Sequence, residues 1–365
     1  MLSAVPFVSV VIPMRNEAAH IRRCVDSVLA QDYPPERLEV VVVDGESDDD
    51  SVAVVQACGP RVRVLHNPGR IVPTAMNIGI RGARGAVIAR VDAHSILAPD
   101  FIRVGVETLQ RTGADNVGGP MRSVGGGPTG DAVARAMASR FGIGSYFHFA
   151  TDDREVDTVY MGMYPRTVFE RIGLFDEELV RNQDDELNYR LRKAGGRVFL
   201  TTRMHSQYQN RQRMRTLARQ FFQYGLWKVR VLQKHPRQMS PRHCVPPAFV
   251  AALGGGAVLS LWSPTIACGW LGLVGVYTAA LGAATATVPR ADGEAGFGRI
   301  MAAFATMHVA WGAGFLVGLV RFAPRWFVEE PPPPSLPPVA HETGLSAAPP
   351  IDMPSGRTSC ECAKN

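Results

Sequence analysis

Short apolar, β-branched runs alternate with helical periodicity over the first 120 residues. Val8 to Ile12, Leu38 to Val43, Val62 to Leu65 and Ala86 to Val91 each read as a buried strand. Between the first two, Ile21, Cys24, Val25 and Val28 recur at i, i+3, i+4 and i+7, which predicts an amphipathic helix over Ala18 to Ala30. Ser47 and the acids Asp48 to Asp50 mark the start of the next helix, where carboxylates favour the N-terminal dipole. Such alternation implies βαβ units on a mostly parallel sheet, an α/β fold. Past residue 120 the pattern predicts a glycine-rich loop over Gly125 to Gly130 and a helix over Asp131 to Phe141. A strand near Thr158 to Met163 and a helix over Asp185 to Lys193 follow.

The last third changes character. Residues 213–232 mix Leu217, Phe221, Phe222, Tyr224 and Trp227 with Arg215, Arg219, Lys228 and Arg230, a composition that predicts an interfacial helix at the headgroup level. Residues 245–288 carry no charge. A single helix of that length would run to about 66 Å, twice a hydrocarbon core, so two spans broken near Pro264 are expected. Ile300 to Val320, with His308 as its one titratable residue, supplies a candidate third span, and the Pro-rich tail is expected to be disordered. The organisation predicted is a catalytic unit over 1–240, a membrane region of two or three spans over 245–322, and a tail over 329–365.

Charge sharpens this division. The net charge is +6, yet Leu187 to Ala291 holds no Asp or Glu, and Leu187 to Arg242 alone holds 14 Lys and Arg. A basic block directly before an uncharged one suits an anionic membrane surface, and nothing in the chain reads as a nucleic-acid interface. Lys228, Arg230, Lys234, Arg237 and Arg242 precede the first apolar block, which predicts a multi-pass protein of the cell membrane with its catalytic part in the cytoplasm. Three spans would export Arg321 and Arg325 against the same rule. The run Val8 to Ile12 is too short for a signal sequence, in keeping with that orientation. Six cysteines lie without the spacing of a disulfide framework or a zinc ribbon, as free thiols in a reducing compartment do. Cys360 and Cys362 resemble a prenylation box only superficially.

Candidate chemistry gathers at strand ends, where an open α/β sheet presents its ligand crevice. Asp44 follows one strand and Asp92 another, although an Asp before a Gly, as in Asp44-Gly45, also simply begins a turn. Asp92-Ala93-His94 places a carboxylate and an imidazole on one side of an extended backbone, toward one divalent ion. The imidazole moves the preference from Mg²⁺ toward Mn²⁺. Asp184-Asp185-Glu186 opens a helix, where acids cap; a crowded acidic cluster near a metal-bound anion can equally hold a general base. Gly125 to Gly130 satisfies G-x-G-x-x-G without the preceding first strand that a dinucleotide site needs, and reads as a loop. No Walker A sequence and no G-x-S-x-G elbow occur.

Four segments together resemble the family 2 glycosyltransferases: Val8-Ser9-Val10-Val11-Ile12-Pro13-Met14-Arg15-Asn16-Glu17, Val42-Val43-Asp44-Gly45-Glu46-Ser47-Asp48-Asp49, Arg90-Val91-Asp92-Ala93-His94 and Asn182-Gln183-Asp184-Asp185-Glu186-Leu187-Asn188-Tyr189-Arg190. The match in order and spacing runs from about Val8 to Val320, and it is similar to the bacterial succinoglycan-biosynthesis subgroup, whose catalytic domain precedes C-terminal membrane helices. The resemblance implies a GT-A fold, the Rossmann-like nucleotide-diphospho-sugar transferase domain, and a nucleotide-sugar donor. It assigns Pro13, Arg15 and Glu17 to nucleotide binding, Asp44 to the uracil ring and Arg70 to the nucleotide's neighbourhood. Asp92 and His94 take the place of the D-x-D motif that holds a divalent cation, Mn²⁺ or Mg²⁺, on the diphosphate. Asp185 takes the place of the catalytic base.

Two departures qualify the match. Asp184 stands where the family more often has Glu. The Q-x-x-R-W sequence of processive synthases is missing, and Arg219-Gln220-Phe221-Phe222-Gln223-Tyr224-Gly225 occupies that stretch. The expectation is therefore transfer of a single sugar from a UDP-sugar to a lipid-linked saccharide acceptor, by an inverting enzyme of exopolysaccharide or cell-envelope glycan synthesis. The alternative is a catalytically silent subunit that binds sugar nucleotides or scaffolds a polysaccharide complex. A nucleotidyltransferase would not need the apolar blocks.

Overall fold

The computed structural model describes residues 2–142, 146–210, 212–289, 295–328 and 331–336. Its first half alternates as the sequence predicts: β1 (Val8–Met14), α1 (Ile21–Leu29), β2 (Leu38–Asp44), α2 (Ser51–Gln56), β3 (Val62–His66), α3 (Val72–Gly82) and β4 (Val87–Arg90). There follow β5 (Ser95–Leu97), α4 (Phe101–Thr112), β6 (Asn116–Gly119), β7 (Met121–Val124), α5 (Gly127–Met137), β8 (Arg154–Glu155), β9 (Tyr160–Pro165), α6 (Thr167–Ile172), α7 (Gln183–Lys193), β10 (Val198–Leu200) and β11 (Ser206–Gln209). The chain then turns helical in α8 (Met214–Lys234), α9 (Val245–Leu259), α10 (Pro264–Thr287) and α11 (Phe297–Arg321).

Eight strands form one sheet in the order β3-β2-β1-β4-β9-β6-β10-β8. β3, β2, β1 and β4 run parallel; β9 is antiparallel to both β4 and β6, and β10 is parallel to β6. The carboxyl ends of β1, β2, β3, β4, β6 and β10 therefore share one edge. Helices cover both faces, which is why β2 is buried at every position and its centre, Val40 to Val43, reads as an unbroken apolar run. One core lies under α1 and α4, the other under α3, α6 and α7. A second sheet, β5-β11-β7, stands beside that edge.

The structure corrects several boundaries. α5 begins at Gly127, inside the stretch expected to be a loop, because Pro128 fits the first turn of a helix, where its missing N–H is no loss. Residues 331–336 of the tail dock on the domain: the Pro334 carbonyl accepts from Leu174 N at 2.7 Å and Leu336 is buried in the core cluster with Phe169 and Leu187. The rest of the tail, Cys360 and Cys362 included, lies outside the described residues.

α8 is the hinge between the two halves of the chain, and not all its bases face lipid as the sequence suggested. Lys228 and Arg230 are buried against the α/β domain. Arg230 grips Glu178 through Nε and Nη2 at 2.7 and 2.8 Å, while Lys234 reaches Asp176 at 2.6 Å and Glu178 at 2.8 Å. On its other side α8 carries α11 along its length. Their backbones approach so closely that a Cβ at Gly314 would overlap the Phe222 carbonyl and one at Gly225 the Trp311 carbonyl. α10 and α11 are long and apolar enough to cross a membrane, whereas α9, with 15 residues, is short of the about 20 that a span requires.

Glu178 makes this junction sensitive to pH. Burial alone would raise its carboxyl, but Arg230 and Lys234 outweigh burial and hold it at about 2. An unfolded Glu titrates near about 4.3, so the stabilisation is complete above that value and is lost as pH falls toward about 2. Urea unfolding of the detergent-solubilised protein should accordingly weaken across that window. Glu178→Gln should lower stability at neutral pH and flatten this part of the profile; an unchanged profile would assign the acid sensitivity elsewhere.

Candidate active site

The loops after β1, β2 and β3 meet at the carboxyl edge of the sheet. Asp44 ends β2, buried, and its Oδ1 accepts from Ser47 Oγ at 2.6 Å. Ser47 Oγ in turn accepts from Asn16 N at 2.9 Å, and Ser51 Oγ accepts from Glu17 N at 2.8 Å, so the β2–α2 loop fixes the β1–α1 loop. Pro13 lies in β1 opposite Val43, and Arg15 is exposed just beyond it. Gly45 lies between Arg15 and Arg70, in contact range of both. Arg70, also exposed, is engaged by Glu46.

Backbone strain concentrates in this region. Five non-glycine residues among those described have positive φ: Asn16 at 56°, Glu46 at 56°, Arg70 at 58°, Met161 at 48° and Asn182 at 61°. Each interrupts a segment that borders the crevice. Such conformations cost on the order of 1–3 kcal/mol each and persist where surrounding contacts over-determine them. Met161 shows why: its Sδ accepts from Asp92 N at 3.4 Å.

Asp92 and Asp184 share one guanidinium. Arg90 donates to Asp92 Oδ1 from Nε and Nη2 at 3.1 and 3.0 Å and lies 3.8 Å from Asp184 Oδ2. The two carboxyls respond in opposite senses. Burial would raise Asp92, but Arg90 and His94 overcome it and hold the group below its ordinary value. Burial raises Asp184, and Arg90, offset by the neighbouring Asp185, does not bring it back. One site thus keeps an ionised carboxylate at the strand end and a carboxyl inclined to hold a proton at the helix start.

His94 Nδ1 meets Glu17 Oε1 at 3.2 Å, and its ring stands edge-on to Tyr208 with centroids 5.0 Å apart. With Nδ1 engaged by Glu17, Nε2 is the ring nitrogen left for a ligand. Among the described residues no three His, Cys, Asp or Glu side chains converge into a metal site. Asp92 and His94 supply two donors of the kind a divalent cation takes, and they would hold it only together with oxygen ligands from elsewhere.

Asp185 is reached from another direction. It stands in the first turn of α7, and its Oδ2 accepts from Lys228 Nζ at 2.7 Å. α8 holds the preceding residues as well: Arg181 Nε donates to Gln223 Oε1 at 3.1 Å and Asn182 Nδ2 to the Tyr224 carbonyl at 2.9 Å. His243 stands near the pair, its imidazole pushed down to about 4 by burial and by the Lys228 and Arg242 cations. It is therefore uncharged at neutral pH, and Lys228 is the cation that faces Asp185. Glu186 points elsewhere and belongs to the structure, with Arg190 at 2.6 Å and His235 at 2.9 Å.

Beyond the ends of β6 and β10 a cavity of about 440 Å³ opens, lined by Arg122, Ser123, His148, Thr151, Thr202 and His205 among others. His205 Nδ1 is buried there with no hydrogen-bond partner among the described residues. Ser123 is the register partner of Tyr208, the residue that packs on His94.

The structure thus gathers Pro13, Arg15, Glu17, Asp44, Arg70, Asp92 and His94 along one edge, with Asp185 brought to it by α7. Two participants escaped the sequence. Arg90 lay inside a quoted segment, yet nothing in its spacing shows that it bridges to Asp184. Lys228 lies 43 residues beyond Asp185 and read as a lipid-facing charge.

The glycosyl transferase family 2 profile matches residues 9–173. The chain is 32% identical to the succinoglycan biosynthesis protein ExoA of Rhizobium meliloti (strain 1021), over 87% of this chain and 96% of that protein. It is 28% identical to a dolichyl N-acetyl-alpha-D-glucosaminyl phosphate 3-beta-D-2,3-diacetamido-2,3-dideoxy-beta-D-glucuronosyltransferase of Methanococcus voltae, over 62% of this chain and 74% of that one. Among solved structures, the mannosyltransferase PcManGT of Pyrobaculum calidifontis, in complex with GDP-Man and Mn²⁺, shares the fold with a TM-score of 0.53 at 22% identity, covering 87% of this chain and 88% of that one.

If Lys228 positions Asp185, Lys228→Met should lower kcat about 10-fold or more while the KM for the donor stays within about twofold, and Lys228→Arg should recover part of the loss. Equal loss in both variants, with a fall in thermal stability, would make Lys228 a structural residue.

Proposed function

The chain belongs to glycosyl transferase family 2, and on that premise we propose that it transfers a single sugar from a nucleotide-sugar, a UDP-sugar in the first instance, to a hydroxyl of a lipid-linked saccharide, with inversion. The observation that carries this reading is that Arg90 brings together an ionised strand-end carboxylate, Asp92, and Asp184, the helix-start acid next to Asp185. An acidic strand end beside an acidic helix start suits a donor diphosphate at the one and an acceptor hydroxyl at the other.

In this scheme Pro13, Arg15, Glu17, Asp44 and Arg70 hold the nucleotide, with Asp44 toward the base. Asp92 and His94 would hold a divalent cation, Mn²⁺ or Mg²⁺, which when bound neutralises charge on the leaving diphosphate. Asp185 accepts the proton of the acceptor hydroxyl as that oxygen attacks the anomeric carbon from the face opposite the departing diphosphate. Lys228 keeps the Asp185 carboxylate aimed at the crevice. The cavity between Arg122 and His205 takes the acceptor saccharide, with neutral imidazoles and hydroxyls as hydrogen-bonding groups: burial pushes His148 down to about 3 and lowers His205.

A lipid-linked acceptor is supported by the Methanococcus voltae relative, a transferase named for its dolichyl N-acetyl-alpha-D-glucosaminyl phosphate substrate. A role in exopolysaccharide synthesis is supported by the succinoglycan relative, and cation dependence by the Mn²⁺ bound to the mannosyltransferase. The apolar helices and the basic block before them favour a membrane-associated enzyme with its catalytic domain at the cytoplasmic face.

Membranes containing the protein, incubated with labelled nucleotide sugars, should transfer label into the lipid-extractable fraction. Asp185→Asn should slow that transfer by about 10²–10⁴-fold while nucleotide binding survives. A chain with no transfer to any donor that still binds sugar nucleotides would be the silent subunit instead. A second variant tests the cation: Asp92→Asn should lose most activity and weaken Mn²⁺-dependent binding of the nucleoside diphosphate, measured by calorimetry. Full activity of Asp92→Asn, or of the native enzyme in excess chelator, would remove the cation from the reaction.

A further inference from the structure

α11 has the composition of a span, yet both its ends are held by the α/β domain. At its start, Ile300, Ala303 and Phe304 pack into a cluster with Ala132, Val133 and Ala136 of α5. His308 Nε2 donates to the Phe141 carbonyl at 2.9 Å. At its end, Gln233 Nε2 donates to the Phe322 carbonyl at 2.8 Å and Arg325 pairs with Glu178. The segment that follows returns to the same domain, where Leu336 enters the core. Between these anchors α11 runs alongside α8, Gly314 against Phe222 and Gly318 against Leu226. A helix fixed at both ends to one domain cannot carry the chain across a bilayer.

α9 and α10 form a hairpin whose base packs on α11, with Tyr277 Oη 3.1 Å from His308 Nδ1. Trp270 Nε1 donates to the Leu253 carbonyl at 2.9 Å, and the Phe249 and Tyr277 rings lie 4.2 Å apart. At its base Pro246 abuts Gly312, while Leu281 and Val288 join the α11 cluster. Its tip is bare, with Leu261 79% and Trp262 73% exposed. α9 has 15 residues and rises about 22 Å, less than a hydrocarbon core of about 30 Å.

We propose that the protein is monotopic: α11 lies in the plane of the membrane on α8, and the α9–α10 hairpin dips into lipid without emerging from the far face. The proposal rests on the membrane association inferred above, and it places residues before 245 and after 322 on one side. The occupant of the hairpin's surface is lipid because neither arm has a polar face. A helix apolar all round is covered on all sides, which a bilayer does and a single docked protein does not. Charge agrees. Arg237 and Arg242 stand just before the hairpin, at the level of anionic headgroups, and Arg321 and Arg325 stay on the same side, so the conflict that three spans would create does not arise.

The test uses the full-length chain in intact cells. Single cysteines are placed at Ala57, Ser263 and Ser335 in a cysteine-free variant that retains transfer activity, and probed with a membrane-impermeant maleimide. None should react in intact cells; Ala57→Cys and Ser335→Cys should react once the cells are lysed, and Ser263→Cys only after detergent. Reaction of Ser263→Cys or Ser335→Cys from outside intact cells would overturn the proposal. Should the cysteine-free variant misfold, a C-terminal tag on the otherwise native chain decides: trypsin added to inside-out vesicles should remove it, and its survival there, with loss on digestion of intact cells, would overturn the proposal. Recovery of the native chain in the soluble fraction would instead remove the membrane reading on which the proposal rests. Retention in membranes with outside labelling would remove the monotopic arrangement alone.

Discussion

One buried guanidinium holds two parts of the site together. Arg90 ends β4, is itself nearly inaccessible, and lies between Asp92, two residues on, and Asp184, at the start of a helix in the other half of the domain. Removing it would leave the Asp92 carboxylate, only 17% exposed, without its cation and facing the carboxyl of Asp184. With it in place, the carboxyls are driven apart in their hold on protons, because His94 adds to its effect on Asp92 while Asp185 opposes it at Asp184. The difference between an ionised carboxylate at the strand end and a carboxyl that holds its proton more tightly at the helix start thus begins in one side chain.

The second constraint comes from α8, which has two partners. Its inner face places Lys228 on Asp185 and holds the Arg181–Asn182 backbone that introduces the acids; its outer face packs on α11 through glycines. This explains the sequence of the stretch where processive synthases carry Q-x-x-R-W. Phe222 and Gly225 are needed for helix packing, and Gln223 and Tyr224 are spent on fixing the loop before α7. The apolar layer is therefore mechanically continuous with the base. The Asp185 carboxylate and the apolar helices are thus positioned by the same helix, so a change in the packing of α11 on α8 reaches the start of α7.

How much of this was written in the chain can be judged residue by residue. The alternation of Val-rich runs with an i, i+3, i+4, i+7 pattern determined the parallel sheet and α1, because strands covered on both faces must be apolar throughout and helices over them on one stripe only. The acids at strand ends followed from the same logic, since Asp44 and Asp92 lie where apolar runs stop and the sheet's edge begins. Those signals are local. Tertiary structure alone decided that Arg90 spans to Asp184, that Lys228 and Arg230 turn inward to Asp185 and Glu178, and that α11 returns the chain to the domain it left. These are pairings over tens of residues or more, and composition cannot tell a base that faces headgroups from one that meets a buried carboxylate, nor an apolar helix that crosses lipid from one laid against a neighbour: burial and charge are neutralised by whatever partner the fold supplies, and only the fold names the partner.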